Sequence, residues 1–258
     1  MQRPSLHRPP SAKSTPTFRS TQHRQHSAGA FVRDADVYDA VRPSYPPEVT
    51  SLLNGCDQIV DIGAGTGKFV EKLNASFLGA LDPSPAMVSI AASKSIAHVW
   101  QAVAESTGLA DNSVDGAVIA QTWHWLDASA VCQELDRILS PGGKVVLAWN
   151  TLDVSHPWIL RLARIIHSGD IHREGFVPEV HYPWTISREV RTRWVTHLRT
   201  DQLHLLAHTR SYWLKSSEKV RQRVTDNLNW YLHERLEFQP GQLLPIPYRT
   251  DAFVLERS

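Results

Sequence analysis

Apolar residues in this chain cluster in short runs, and between the runs they recur every three or four positions. The runs predict strands over residues 58–62, 77–82, 97–103, 115–121 and 143–150. The intervening segments predict helices near residues 67–74, 84–94, 128–139 and 155–168. Residues 169–200 lack clean periodicity and hold Pro178, Pro183, Trp184 and Trp194, so they read as an insertion or lid. Gln202 to Ala207 reads as a sixth strand and Tyr248 to Leu255 as the last. Between these two, Ser216-Ser217-Glu218 opens a helix with a serine N-cap, its apolar residues Val220, Val224, Leu228, Leu232 and Leu236 spaced every four positions. Alternating strands and helices predict an α/β chain. The expected fold is Rossmann-like and doubly wound, with a mostly parallel seven-stranded sheet, helices on both faces and a C-terminal lid or insertion.

The first strand ends in Asp61-Ile62-Gly63-Ala64-Gly65-Thr66-Gly67. Glycine reaches backbone angles closed to other residues and lets amide groups approach a ligand. The expected helix from residue 67 would place this turn at a helix N-terminus, which favours a polar or anionic ligand group. The second strand ends in Asp82, where an acid commonly meets ribose hydroxyls in nucleotide-binding sheets. Glycine turn, helix, strand and acid in that order indicate an adenosine-type cofactor. The spacing Gly63-x-Gly65-x-Gly67 departs from the G-x-G-x-x-G fingerprint of dinucleotide sites. A G-x-x-x-x-G-K-[ST] phosphate loop also fails, because Ile62 and Phe69 stand where glycine and a hydroxyl residue are required.

The D-x-G-x-G-x-G form resembles motif I of the class I S-adenosylmethionine-dependent methyltransferases. Further stretches extend the likeness. Ala104-Glu105, followed by Leu109-Ala110-Asp111-Asn112-Ser113-Val114-Asp115, is similar to the family's segment after the third strand. Arg137-Ile138-Leu139-Ser140-Pro141-Gly142-Gly143 resembles its turn before strand five. Arg42-Pro43-Ser44-Tyr45-Pro46 and Gln121-Thr122-Trp123-His124-Trp125 resemble the R-P-x-Y-P and Q-x-x-H-W elements of the branch of trans-aconitate methyltransferase-like, small-molecule enzymes. The likeness is strong over residues 31–150 and holds only in outline beyond. It divides the folded part, residues 31–258, into a cofactor-binding half (31–150) and a half carrying the substrate lid and C-terminal strands (151–258).

The resemblance implies S-adenosyl-L-methionine as cofactor and assigns residues to it. Asp61 with Gly63, Gly65 and Gly67 would hold the methionine end, and Asp82 the ribose. Ala104 would offer an amide to adenine with Glu105 close by, although Val103 stands where many relatives carry an acid. Gln121 would sit near the methionine moiety. Arg42 would pair with the cofactor carboxylate or remain a surface charge. His124, just past strand four, would be a catalytic base or part of an aromatic wall with Trp123 and Trp125.

Composition limits the partners. The 258 residues carry 27 Lys and Arg against 26 Asp and Glu, so the whole molecule is no electrostatic nucleic-acid binder. Cys56 and Cys132 make no disulfide framework and suit a reducing cytosol, so a cytoplasmic protein is expected. No apolar run reaches membrane-spanning length. Residues 1–30 carry five basic residues, four prolines and no acid, and read as a disordered basic tail. His204 and His208 have no adjoining acidic ligand, so no metal site is expected. Arginines 161, 164, 173, 188, 191, 193 and 199 suit a lid over an anionic small molecule, a nucleic-acid surface or a solvated face. Oxygen of a small anionic or phenolic acceptor is the expected methyl target. RNA or protein methylation and non-catalytic cofactor binding are the alternatives.

Overall fold

A computed structural model describes residues 35–95, 97–168 and 172–258. The expected basic tail, and residues 169–171 at the start of the expected lid, lie outside the described residues. Among the described residues the first elements are helix α1 (Ala35–Val41) and a short helix α2 (Pro47–Thr50). Strands β1 (Gln58–Ile62) and β2 (Phe77–Asp82) follow, then α3 (Pro85–Ser93), β3 (His98–Gln101) and β4 (Val114–Ala120). Helix α4 (Ala128–Ile138) leads into β5 (Leu139–Leu152) and α5 (Pro157–Ile165). Strand β6 (Trp184–Arg199), helices α6 (Thr200–His208), α7 (Ser211–Lys215) and α8 (Glu218–Asn229), and strand β7 (Leu243–Arg257) complete it.

The seven strands of the described residues form one sheet in the order β3-β2-β1-β4-β5-β7-β6. The pairings β1·β2, β1·β4, β2·β3 and β4·β5 are parallel. Strand β7 is antiparallel to both β5 and β6, so the sheet is mixed. The order reverses between β1 and β4, and their carboxyl ends open the crevice in which α/β sheets bind ligands.

Three sequence expectations are corrected. Residues 67–74 form turns and a single 3₁₀ turn, Val70–Lys72, in place of a helix. The glycine turn therefore has no long helix behind it, and its amides rather than a helix dipole must serve any ligand. Residues 202–207 are helical, not a strand: Leu203, Leu206 and Ala207 lie three and four apart and bury one face of α6. Residues 184–199, expected within a lid, form β6 at the sheet edge. Arg188, Glu189, Arg193 and Arg199 stand on exposed positions and Arg191 is half-buried, and this mixed pattern hid the strand. The helix expected from Ser217 is present as α8, with Val224 and Leu228 buried, and passes into a π-helical turn, Trp230–Arg235.

Strands β5, β6 and β7 run past the ends of β1 and β4. The register carries Ala148 of β5 opposite Ala120 of β4, and Asn150, Thr151 and Leu152 continue beyond. One apolar cluster joins α4 (Val131, Cys132, Leu135) to Ile119, Leu147, Trp149 and Phe253. A second, on the opposite face, joins Val49, Leu53 and Phe69 to Val118, Ala148 and Val254. A third caps the overhang, where Leu152, Ile246 and Tyr248 meet Val41 of α1 and the helices α5, α6 and α8. That assembly packs on the overhanging ends of β5 and β7.

Candidate active site

The glycine turn is pinned to β2: the Gly63 and Ala64 amides donate to the Leu81 carbonyl at 2.8 and 2.9 Å. Gly63, Gly65 and Gly67 all have positive φ, at 71°, 56° and 83°. A Cβ on Gly63 would collide with the Thr122 side chain, 2.8 Å from its Oγ1, whereas one on Gly65 would meet nothing within 4 Å. The open face of the turn thus lies over Gly65. Thr122 seats its hydroxyl against the Gly63 carbonyl at 3.0 Å, joining the end of β4 to the turn.

Asp82 stands beside the same turn. Its Oδ2 accepts from the Gly65 amide at 3.0 Å, and its Oδ1 from the Ser84 amide at 2.8 Å, where Ser84 caps α3. Burial raises its pKa, and these two amides oppose the rise. Each carboxylate oxygen keeps a lone pair for a further donor.

Asp61 is 1% exposed, and neither of its oxygens meets a donor within bonding geometry. Burial pushes its pKa up to about 8, opposed by the Val70 amide and reinforced by the Asp82 carboxylate. Gln121 turns out of β4 with φ 57°, and its Nε2 donates to the Asn150 carbonyl at 2.6 Å. That bond leaves Gln121 Oε1 buried without a donor. These two buried groups lie near the carboxyl ends of β1 and β4, and they suit a ligand bringing N–H or O–H groups and a positive charge that favours the ionised Asp61.

Two other expected site residues, Arg42 and Glu105, bond within the chain. The Arg42 guanidinium donates to Thr209, to Oγ1 at 3.1 Å and to the carbonyl at 2.9 Å, and lies over the Tyr38 ring. It joins α1 to the end of α6. Glu105 accepts from the Asp127 amide at the start of α4, 3.1 Å away. Ala104 is buried, while Val103 is exposed beside it. The loop between them and β4 is held by Thr107, whose amide and hydroxyl both donate to Glu134. Hydrogen bonds from Arg137, joined by those of Thr107, hold the Glu134 carboxyl down at about 2.

His124 lies in a short 3₁₀ turn, Trp123–Trp125, on the α4 side of the sheet. The Trp149 indole N–H donates to His124 Nδ1 at 3.3 Å. His172 stands 6.2 Å from His124 between ring centres, stacks on Phe176 at 4.2 Å and meets Trp149 edge-on.

Sequence reading missed several of these residues. Thr122 lies inside a quoted motif and was within reach. Trp149 and His172 carry no local signal, because only tertiary packing brings them to His124. The lead-in segment also does more than its motif suggested. Ser44 Oγ donates to the Lys68 carbonyl at 3.3 Å, Tyr45 packs on Phe69 at 4.8 Å, and Asp39 pairs with Lys94 at 2.7 Å and with Lys68 at 3.5 Å. Of the arginines expected to serve a lid, Arg191 is paired with Glu189 and Asp251, Arg193 with Asp153 and Glu174, and Arg199 with Asp201.

The raised pKa of Asp61 has a measurable consequence. Between the ordinary carboxylate value and about 8, the native state holds a proton that the unfolded chain has lost. Stability therefore falls as pH rises through that window and levels off above it. Asp61→Asn removes this slope, so the melting-temperature advantage of the variant is expected to widen from pH 5 to pH 8. Parallel pH profiles for the two proteins would return Asp61 to an ordinary carboxylate.

Among the described residues, no helix is long and apolar enough to cross a membrane. Residues 60–147 match the family model described as a methyltransferase domain. The chain is 34% identical over 239 residues to an uncharacterized methyltransferase of Mycobacterium tuberculosis, covering 89% of this chain and 96% of that one. It is 28% identical over 247 residues to an uncharacterized methyltransferase-like protein of Schizosaccharomyces pombe, covering 88% and 95%. A malonyl-[acyl-carrier protein] O-methyltransferase of Hahella chejuensis is 35% identical over 133 residues, covering 46% of this chain and 47% of that one. With the glycine turn, the acid ending β2 and the order of the sheet, these likenesses place the chain in the S-adenosylmethionine-dependent methyltransferase family.

Proposed function

We propose that this chain methylates a carboxylate oxygen of a small acid. S-adenosylmethionine supplies a methyl group already activated on a sulfonium sulfur, so the protein's task is to hold acceptor and methyl group in line. In this reading Asp61, Gln121 Oε1 and the turn Gly63–Gly67 receive the methionine end. Asp82 takes the ribose hydroxyls by its remaining lone pairs, and the adenine lies beside Ala104. Arg42, held on Thr209, serves the crevice by fixing α1 rather than by touching the cofactor.

One observation carries the choice of acceptor, the bond from Trp149 to His124 Nδ1. A neutral imidazole that accepts at Nδ1 bears its proton at Nε2. His124 in that form donates a hydrogen bond and has no free lone pair with which to deprotonate a hydroxyl. A carboxylate needs no base. One of its oxygens attacks the methyl carbon, the carbon–sulfur bond breaks with its electron pair going to sulfur, and the products are a methyl ester and a thioether. The partial likeness to an O-methyltransferase supports oxygen as the target. The lead-in and strand-four elements, with Arg42 and Gln121, support the trans-aconitate-like branch. Ion pairing of Arg191, Arg193 and Arg199 weakens the case for a nucleic-acid surface.

The test is transfer of labelled methyl to a panel of carboxylic acids, phenols and total RNA at saturating cofactor. Label is expected in base-labile esters, and His124→Ala is expected to cost less than about tenfold in turnover. A hydroxyl acceptor would make the same substitution cost about 10²–10⁴-fold, with the rate falling below about pH 6.5. Label in RNA or protein alone would overturn the proposal.

A further inference from the structure

Asn150, near the end of β5, touches both walls of the crevice. Its backbone carbonyl accepts from Gln121 Nε2 at 2.6 Å, and its side-chain Nδ2 donates to the Ser44 carbonyl at 3.0 Å. Its Oδ1 accepts from the Thr250 hydroxyl at 2.6 Å, and Thr250 Oγ1 accepts from the Trp194 indole N–H at 2.8 Å. The direction of this relay is fixed. The Ser44 carbonyl only accepts, so Nδ2 must face it; Oδ1 then faces Thr250 and takes its proton, while Thr250 Oγ1 accepts from the indole N–H, which only donates. Asn150 is 3% exposed and Thr250 0%, so solvent does not readily replace a lost partner. Ser44 and Tyr45 lie directly against Lys68 and Phe69, the two residues after Gly67. Strands β6 and β7 therefore set the position of the segment packed on the glycine turn.

We propose that Asn150 is a positioning residue for cofactor binding: its side-chain amide holds Ser44–Tyr45 against the glycine turn while its carbonyl aims Gln121. This rests on the family assignment and not on the identity of the acceptor. Asn150→Asp keeps the shape and the bond from Thr250, but sets a carboxylate oxygen against the Ser44 carbonyl where a donor stood. Thr250→Val cuts the relay one step earlier and leaves Nδ2 facing Ser44. The readouts are calorimetric titration of each purified full-length variant with S-adenosylhomocysteine, and its melting temperature. Asn150→Asp is expected to weaken binding at least tenfold. Thr250→Val is expected to lower the melting temperature yet bind within threefold of the parent. Parent-like binding by Asn150→Asp, or equal weakening by both variants, would overturn the proposal, the latter by showing general loosening. If Asn150→Asp does not fold, Asn150→Ala carries the same expectation, and parent-like binding by it is the overturning result.

Discussion

Gly65→Val is expected to abolish binding of S-adenosylmethionine and S-adenosylhomocysteine while the protein stays folded. The substitution costs strain, because φ is 56° and a left-handed backbone costs an L-residue about 1–2 kcal/mol. It meets no collision, since nothing lies within 4 Å of the new Cβ. A loss of that size lowers the melting temperature of a chain this long by roughly 2–4 °C per kcal/mol. The valine methyl groups would occupy the open face of the turn, where the cofactor must pass within contact of the backbone. A loss of at least about a hundredfold in affinity, some 2.7 kcal/mol, is expected by calorimetry. The neighbouring glycine supplies the contrast: Gly63→Val drives its side chain into Thr122, so the fold itself should suffer. Near-parental affinity in Gly65→Val would mean that the turn is kept for packing alone.

The second large effect is on stability. Asp251 is fully buried in β7 and accepts from Arg191 Nη1 at 2.8 Å and from Arg249 Nε at 2.9 Å. Arg249 is 6% exposed and also donates to the His172 carbonyl. Asp251→Ala would leave that guanidinium buried without its counter-charge, a change that typically costs about 3–5 kcal/mol. A fall in melting temperature of roughly 6–20 °C follows. The pair need not add net stability for this to hold, because a well-packed apolar replacement of both partners is often neutral. Urea denaturation of Asp251→Ala checks the number, and a loss under about 1 kcal/mol would show that water reaches Arg249.

The parts of the fold legible in the sequence are those whose signal is local. β1 and β2 match their expected bounds, because a buried parallel strand is apolar throughout and the glycine turn marks its end. Asp61 and Asp82 follow from the same reading. Misreadings occur where tertiary context decides. Residues 67–74 hold enough apolar side chains for a helix, yet the turn pinned to β2 leaves room only for one 3₁₀ turn. β6 shows arginine and glutamate on the exposed positions of an edge strand, so no clean alternation appears until its pairing with β7 is known. The bonds of Arg42 to Thr209 and of Trp149 to His124 join positions far apart in the chain, and no spacing rule anticipates them.

The position of β7 bears on how the chain acquires its structure. This strand lies between β5 and β6 and sends Phe253 and Leu255 into one apolar cluster, Ala252 and Val254 into another, and Leu244, Ile246 and Tyr248 into the third. None of the three is complete until β7 has been synthesised. During translation the earlier strands therefore wait with an open β5 edge, exposed to mispairing with other chains and within reach of chaperones. Docking of β7 closes all three clusters together, so the half bearing the glycine turn should not precede the capping helices but reach its final form with them, after the ribosome has passed Arg257.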